Sequence, residues 1–171
     1  KADAIRTRLS KRIETEWDEN PVYYKKFSER IEEAIQAYKD KRISEAEYLE
    51  RMKEILQDFR SGSSGFTYPD NIRKNPDAQA FYGVTNEILK ETNAAYVVNE
   101  NMIGEIALKI TKIIKDNSKV DWHANVEVHN RIAQELDDLL YEFAKEHGLQ
   151  LSYDQIDKII ESVKAVALRR F

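Results

Sequence analysis

The sequence contains no cysteine. Disulfides, thiol nucleophiles and cysteine-ligated zinc or iron–sulfur centres are thereby excluded from these residues. The same absence fits a reducing cytoplasm, where the protein is expected to reside. Glycine and proline are scarce, 5 and 3 among 171 residues, which suits helices joined by short loops better than strands and tight turns. No apolar run approaches the roughly 18 residues that would cross a bilayer, and the first residues form no apolar signal core. No membrane association is therefore expected. A surplus of positive charge is also lacking: 27 Lys and Arg face 31 Asp and Glu. That balance argues against a wholly electrostatic nucleic-acid binder.

Short catalytic signatures are missing as well. Gly-Lys never occurs and G-x-G-x-x-G is absent, so neither a Walker A loop nor a dinucleotide fingerprint is present. No Asp or Glu stands two residues before any Lys, which removes the compact form of a metal-dependent nuclease site. There is no H-E-x-x-H and no G-x-S-x-G.

What the sequence does have is helical rhythm almost throughout. Ile5, Leu9, Ile13 and Trp17 recur every four residues. Asn20-Pro21 offers a cap and a first-turn proline before the stripe Tyr24, Phe27, Ile31, Ala34, Ile35 and Tyr38. Ser44 and Glu47 form a capping box opening a third helix, with Tyr48, Leu49, Met52, Ile55, Leu56 and Phe59 inward. "SGSSGFTYPD" then predicts a loop or linker. Asn75-Pro76 restarts the pattern with Phe81, Val84, Ile88 and Leu89. Further helices follow on Ile103 to Ile114, on Val128 to Phe143 with a stop at His147-Gly148, and from the Ser152–Gln155 box to Ala167. The expected fold is all-α, a bundle-like arrangement of about seven helices, three before and four after a Gly/Ser linker. Residues 1–60 form the first segment, 61–74 the linker and 75–171 the second, within one structural domain. The opening "KADAIRTRLSKRI", already helical and without an initiator Met, suggests a fragment of a longer chain.

The stretch "VDWHANVEVHNRIAQELDDLLYE" most invites a chemical reading. Asp121, His123 and Glu127 could make a metal site, but His129 lies six residues from His123 and only two from Glu127. The set does not converge on one helical face. A helix start fits better: Asp121 or Asn125 as cap, Glu127 at the positive end and Trp122 packed on a neighbour. No catalytic, cofactor or metal residue is assigned. Two basic clusters could touch phosphate. One holds Arg6, Arg8, Lys11 and Arg12, and the other holds Lys109, Lys112 and Lys115, extended by Lys119. Adjacent aromatics such as Tyr23-Tyr24 and Phe81-Tyr82 diverge by about 100° on a helix, so some must face a second layer or a partner.

Three stretches, "NPVYYKKFSERIEEAIQAYKDKRISEAEYLERMKEI", "NPDAQAFYGVTNEIL" and "KVDWHANVEVHNRI", in this order and spacing, resemble the C-terminal end of type I restriction enzyme R subunits. The resemblance implies a parent with an N-terminal endonuclease domain and two helicase-like lobes that hydrolyse ATP to translocate DNA, followed by this helical domain. ATP and Mg²⁺ would be needed only upstream. Within such a parent the domain would pack beside the motor lobes. It would dock them onto a methyltransferase core of modification and specificity subunits, without catalysis of its own. Of the matching positions, Phe81, Tyr82, Trp122 and His123 are the candidates for packing or docking. A DNA-contacting role supporting the motor, through Arg6, Arg8, Lys11 and Arg12, is the alternative.

Overall fold

The structure, a computed structural model, describes residues 1–62, 67–92 and 99–171. Seven α-helices and no strand occur among the described residues. They are α1 (Ala2–Glu16), α2 (Pro21–Lys39), α3 (Glu45–Ser61), α4 (Pro76–Thr92), α5 (Glu100–Asn117), α6 (Val126–His147) and α7 (Tyr153–Arg170). The all-α expectation holds. Residues 63–66 of the glycine- and serine-rich stretch lie outside the described residues.

Local sequence explains the boundaries. Asn20 accepts a hydrogen bond from the Tyr23 backbone N–H while Pro21 occupies the first turn of α2, where its missing N–H costs nothing. Both capping boxes form: Ser44 with Glu47, and Ser152 with Gln155, exchange reciprocal side-chain and backbone bonds. Asn99 caps α5 and Asn125 caps α6. Gly62 and Gly148 end α3 and α6 in the left-handed region, at φ 76° and 64°, which carries little penalty without a Cβ.

The chain divides into two compact units, Lys1–Thr67 and Tyr68–Phe171. In the first, α1, α2 and α3 pack pairwise around Leu9, Ile13, Phe27, Ile31, Tyr48, Met52 and Ile55. Half-buried aromatics wrap this core. Phe27 meets Tyr23 and Phe59 edge-on, each at 5.1 Å between ring centres, and Tyr38 stacks on Tyr48 at 4.9 Å. Arg30 on α2 donates to Asp58 on α3 at 2.7 Å.

In the second unit, α4 packs on α5 and α7, α5 on α6, and α6 on α7. Its core is mostly aliphatic, with Ile103, Ile106, Ile110, Ile114, Ile132, Leu136, Leu140 and Ile159 all buried. Within the stretch expected as linker, Asp70–Ile72 form a 3-10 turn packed on α4 and α5, with Ile72 fully buried. Gly104 of α5 sits directly against the Asn71 amide, whose nitrogen donates to the Asn101 carbonyl at 3.1 Å. A Cβ at Gly104 would collide with that amide. Asp77, in the first turn of α4, accepts from Arg170 of α7 at 2.9 and 3.0 Å and pairs with Lys115 of α5 at 3.2 Å. One carboxylate thus ties three helices.

Candidate functional site

Phe81 and Tyr82 are both buried, although adjacent helical positions point apart. The cause is the placement of α4, which is covered on one side by α5 and on another by α7, so that Ala78 and Ala80 to Thr85 are all buried. Phe81 lies parallel to Phe171 at 6.4 Å. Tyr82 meets Tyr68 edge-on at 5.9 Å. Burial, with the Glu100 carboxylate and Tyr68 adding to it, pushes the Tyr82 hydroxyl up to about 12.

Trp122 stands at the start of a 3-10 turn, Trp122–Ala124, leading into α6. Asp121 before it takes the left-handed conformation at φ 61°, which Asp tolerates better than most residues. The indole is buried; it stacks on His129 at 5.4 Å and meets His123 edge-on at 4.8 Å. Its Nε1 is buried with no hydrogen-bond partner among the described residues. His129 Nε2 lies 2.8 Å from the His123 carbonyl. Because a carbonyl can only accept, that nitrogen carries the proton. The two histidines therefore fasten the turn to the first turn of α6. Asn125, not Asp121, supplies the cap. Among the described residues, Asp121, His123 and Glu127 belong to no group that could hold a metal ion. Of Phe81, Tyr82, Trp122 and His123, only His123 is exposed. Val120, 92% exposed, stands nearby and with Trp122, His123 and Phe171 lines an open depression of about 460 Å³.

The basic candidates on α1 separate. At about 100° per residue, Arg8, Lys11 and Arg12 share a face, and Arg6 points away from them. Arg6 pairs with Asp3 at 3.8 Å. Arg12 donates to Glu16 at 2.9 Å and stands 5.5 Å over the Phe59 ring. Glu16 in turn accepts from the Tyr24 hydroxyl at 2.8 Å. Burial alone would raise the Glu16 carboxyl, but the hydrogen bonds from Arg12 and Tyr24 and the Arg12 charge outweigh it and hold the group below its ordinary value. Arg8 and Lys11 are exposed. In the second cluster Lys112 pairs with Asp116 at 2.6 Å and Lys115 with Asp77. Lys109 shares a small cavity of about 130 Å³ with Glu105, Glu142 and Glu146. Much of the positive charge that the sequence displays is thus matched by carboxylates.

A third cavity was not legible in the sequence. It lies in the first unit between the C-terminal part of α1, the 3-10 turn Trp17–Glu19 that follows it, and α2; it holds about 420 Å³ and is lined by Ile13, Trp17, Ile31, Glu14, Asp18 and Glu32 with Ser10 and Ser28. Its sequence signal is the spacing of Glu14 and Asp18 beside Ile13 and Trp17, which marks one face with both apolar and acidic character.

No helix among the described residues is long and apolar enough to cross a membrane. No solved structure matches the chain. A putative type I restriction enzyme MjaIXP endonuclease subunit of Methanocaldococcus jannaschii is 25% identical over 162 residues, which cover 94% of this chain and 14% of that protein. The chain thus corresponds to a small part of the relative it matches. A family model described as type I restriction enzyme HindI endonuclease subunit-like, C-terminal, matches residues 1–167, and the chain belongs to that family of C-terminal domains.

Proposed function

We propose that this chain is a non-catalytic docking domain. In a type I restriction endonuclease subunit it would join the ATP-dependent motor and nuclease to a methyltransferase core of modification and specificity subunits. The observation that carries the reading is the match of residues 1–167 to the C-terminal region of such subunits. Two further features support it. The conspicuous polar residues of the family-like stretch are spent on structure: His129 on the His123 carbonyl, Asn125 on the cap of α6. In addition, Phe81, Tyr82 and Trp122 pack inside the second unit, so in this reading they hold the surface on which His123 is displayed. ATP and Mg²⁺ belong, in the same reading, to domains upstream of these residues, and the assembly works in the cytoplasm.

The test is direct. The 171-residue chain, tagged and mixed with the cognate modification–specificity complex, should be retained by it while showing neither ATPase nor nuclease activity. Failure to bind under conditions where the full endonuclease subunit binds would remove the docking role.

A second reading, contact with the duplex near the motor, draws on Arg8 and Lys11. Both are exposed and have no carboxylate partner among the described residues. Binding through two or three phosphates would fall with salt at a slope of about −0.9 per phosphate neutralised. Gel shifts across a salt series, comparing the chain with its Arg8→Gln/Lys11→Gln variant, should show a lower slope in the variant. No salt-sensitive retardation of either would end this reading.

A further inference from the structure

The cavity between α1 and α2 combines two properties that rarely serve a solvated helix face. Its floor is apolar: Ile13 is 3% exposed, Ile31 is also buried, and Trp17 is half-buried. Its rim is acidic, with Glu14 and Asp18 on one side and Glu32 on the other, all exposed, and no Lys or Arg lines it. None of the three carboxylates has an ion-pair or hydrogen-bond partner among the described residues. Glu16 and Asp58 of the same unit, by contrast, each engage an arginine. Three like charges around an apolar trough repel one another. The trough also leaves part of the Trp17 side chain, which packs on the core on its other side, open to water. A ligand that supplies cations and apolar surface together relieves both.

We propose that this trough is the docking groove for a basic amphipathic segment of a partner protein, one that seats an aliphatic or aromatic side chain on Trp17 and flanks it with Lys or Arg. The carboxylates sit on both sides of the apolar floor: Glu14 near the end of α1 and Asp18 in the 3-10 turn Trp17–Glu19 that follows it, with Glu32 of α2 across the groove. Cations spaced along one face of a partner helix, at i and i+4, meet carboxylates on both sides. Apolar anchors in a groove are the usual mode of helix recognition, and charge of opposite sign fixes orientation and speeds association. A nucleic acid is the wrong partner here, because phosphates would face three carboxylates. The proposal rests on the docking reading for the identity of the partner, and names the surface and the chemistry that the reading leaves open.

The probe is a 16-residue Leu/Lys amphipathic peptide titrated into the 171-residue chain. Trp17 and Trp122 are the only tryptophans, so the chain has two indole N–H resonances, assigned with Trp17→Phe. The Trp17 resonance should move on titration and that of Trp122 should not. Affinity should fall tenfold or more in Glu14→Gln/Asp18→Asn/Glu32→Gln, and should stay within twofold in the control Glu33→Gln/Glu45→Gln/Glu54→Gln. A Leu/Glu peptide of the same length should not bind. The proposal is overturned by a stationary Trp17 resonance, by equal losses in both triple variants, or by equal binding of the acidic peptide. Self-association in sedimentation that the first triple variant abolishes would also overturn it, since the occupant would then be a second copy. Pull-down with the cognate complex separates the two ideas. A triple variant that binds the complex like the unaltered chain sinks the groove and leaves docking standing. A chain that passes the peptide test but ignores the complex sinks docking alone.

Discussion

The two units of this chain solve the same problem, burying helices in water, with different means. Lys1–Thr67 carries 14 basic and 14 acidic residues, Tyr68–Phe171 carries 13 and 17. The smaller, neutral unit has only three helices, and a domain of that size has little interior relative to its surface. It compensates with half-buried aromatics that cover apolar surface while keeping polar edges wet: Tyr23, Tyr24 and Phe59 around Phe27, with Arg12 and Arg30 over the rings of Phe59 and Phe27. The larger, acidic unit fills its centre with isoleucine and leucine, and ties its helix ends through Asp77. Where a core is small, the shell must do more; that shell is also where partly exposed aromatic and acidic surface is left for a partner.

Each unit contains one tryptophan, so the stability of each can be followed separately. The largest effects should come from the centres. Phe27→Ala should cost the first unit about 3–5 kcal/mol, and Ile110→Ala the second about 2–5 kcal/mol. Denaturant unfolding followed by the emission of Trp17 or Trp122 in single-tryptophan backgrounds reads each. Next should come the polar ties. Asp77→Ala removes the bonds from Arg170, whose side chain is 16% exposed, and should cost about 1–2 kcal/mol after screening at Lys115 is allowed for. Asp58→Ala, on the more exposed pair with Arg30, should cost less, about 0.5–1 kcal/mol. A cost at Asp58 equal to that at Asp77 would contradict the contrast drawn between shell and core.

The smallest effects should be those of pH, and they differ in sign. Tyr82, with its hydroxyl pushed up to about 12, stabilises the second unit fully below the ordinary tyrosine value of 10. That contribution is lost as pH rises through the raised value. Tyr82→Phe should flatten the alkaline limb of stability followed by Trp122. Glu16, held below its ordinary value of 4.5, contributes to the first unit above that value, and its contribution disappears as pH falls through the lowered one. Glu16→Gln should flatten the acid limb followed by Trp17. Unchanged limbs in either variant would show that other groups set the pH dependence.

The helices were legible because the signals were local. Asn20-Pro21, Ser44 with Glu47, Ser152 with Gln155 and Gly148 each act within one turn, so their roles follow from neighbours alone. The turn at Asp70–Ile72 was not legible. Ile72 lies in a stretch with no hydrophobic period, and only its burial beside α4 and α5 gives it meaning. The pair Phe81-Tyr82 left open whether its second direction meets another layer or a partner, and the structure supplies the layer. Divergence on the helix is real, but a helix covered on two sides buries both directions. Trp122 could be read as an anchor, whereas the hold of His129 on the His123 carbonyl depends on a turn geometry that spacing does not reveal. The α1/α2 groove was hidden because its acids come from two helices, and Glu14, Asp18 and Glu32 look like an ordinary solvated face until Ile31 and Trp17 are placed beneath them.

In the proposed reading these residues dock the motor and leave catalysis to other domains. Adding the 171-residue chain in increasing excess to the full endonuclease subunit and its modification–specificity partners tests it most directly, with ATP-dependent DNA cleavage as the readout. If the chain occupies the docking site, cleavage falls in proportion to the excess, and additional modification–specificity complex restores it. Cleavage that stays constant at a hundredfold excess of folded chain would remove the docking role.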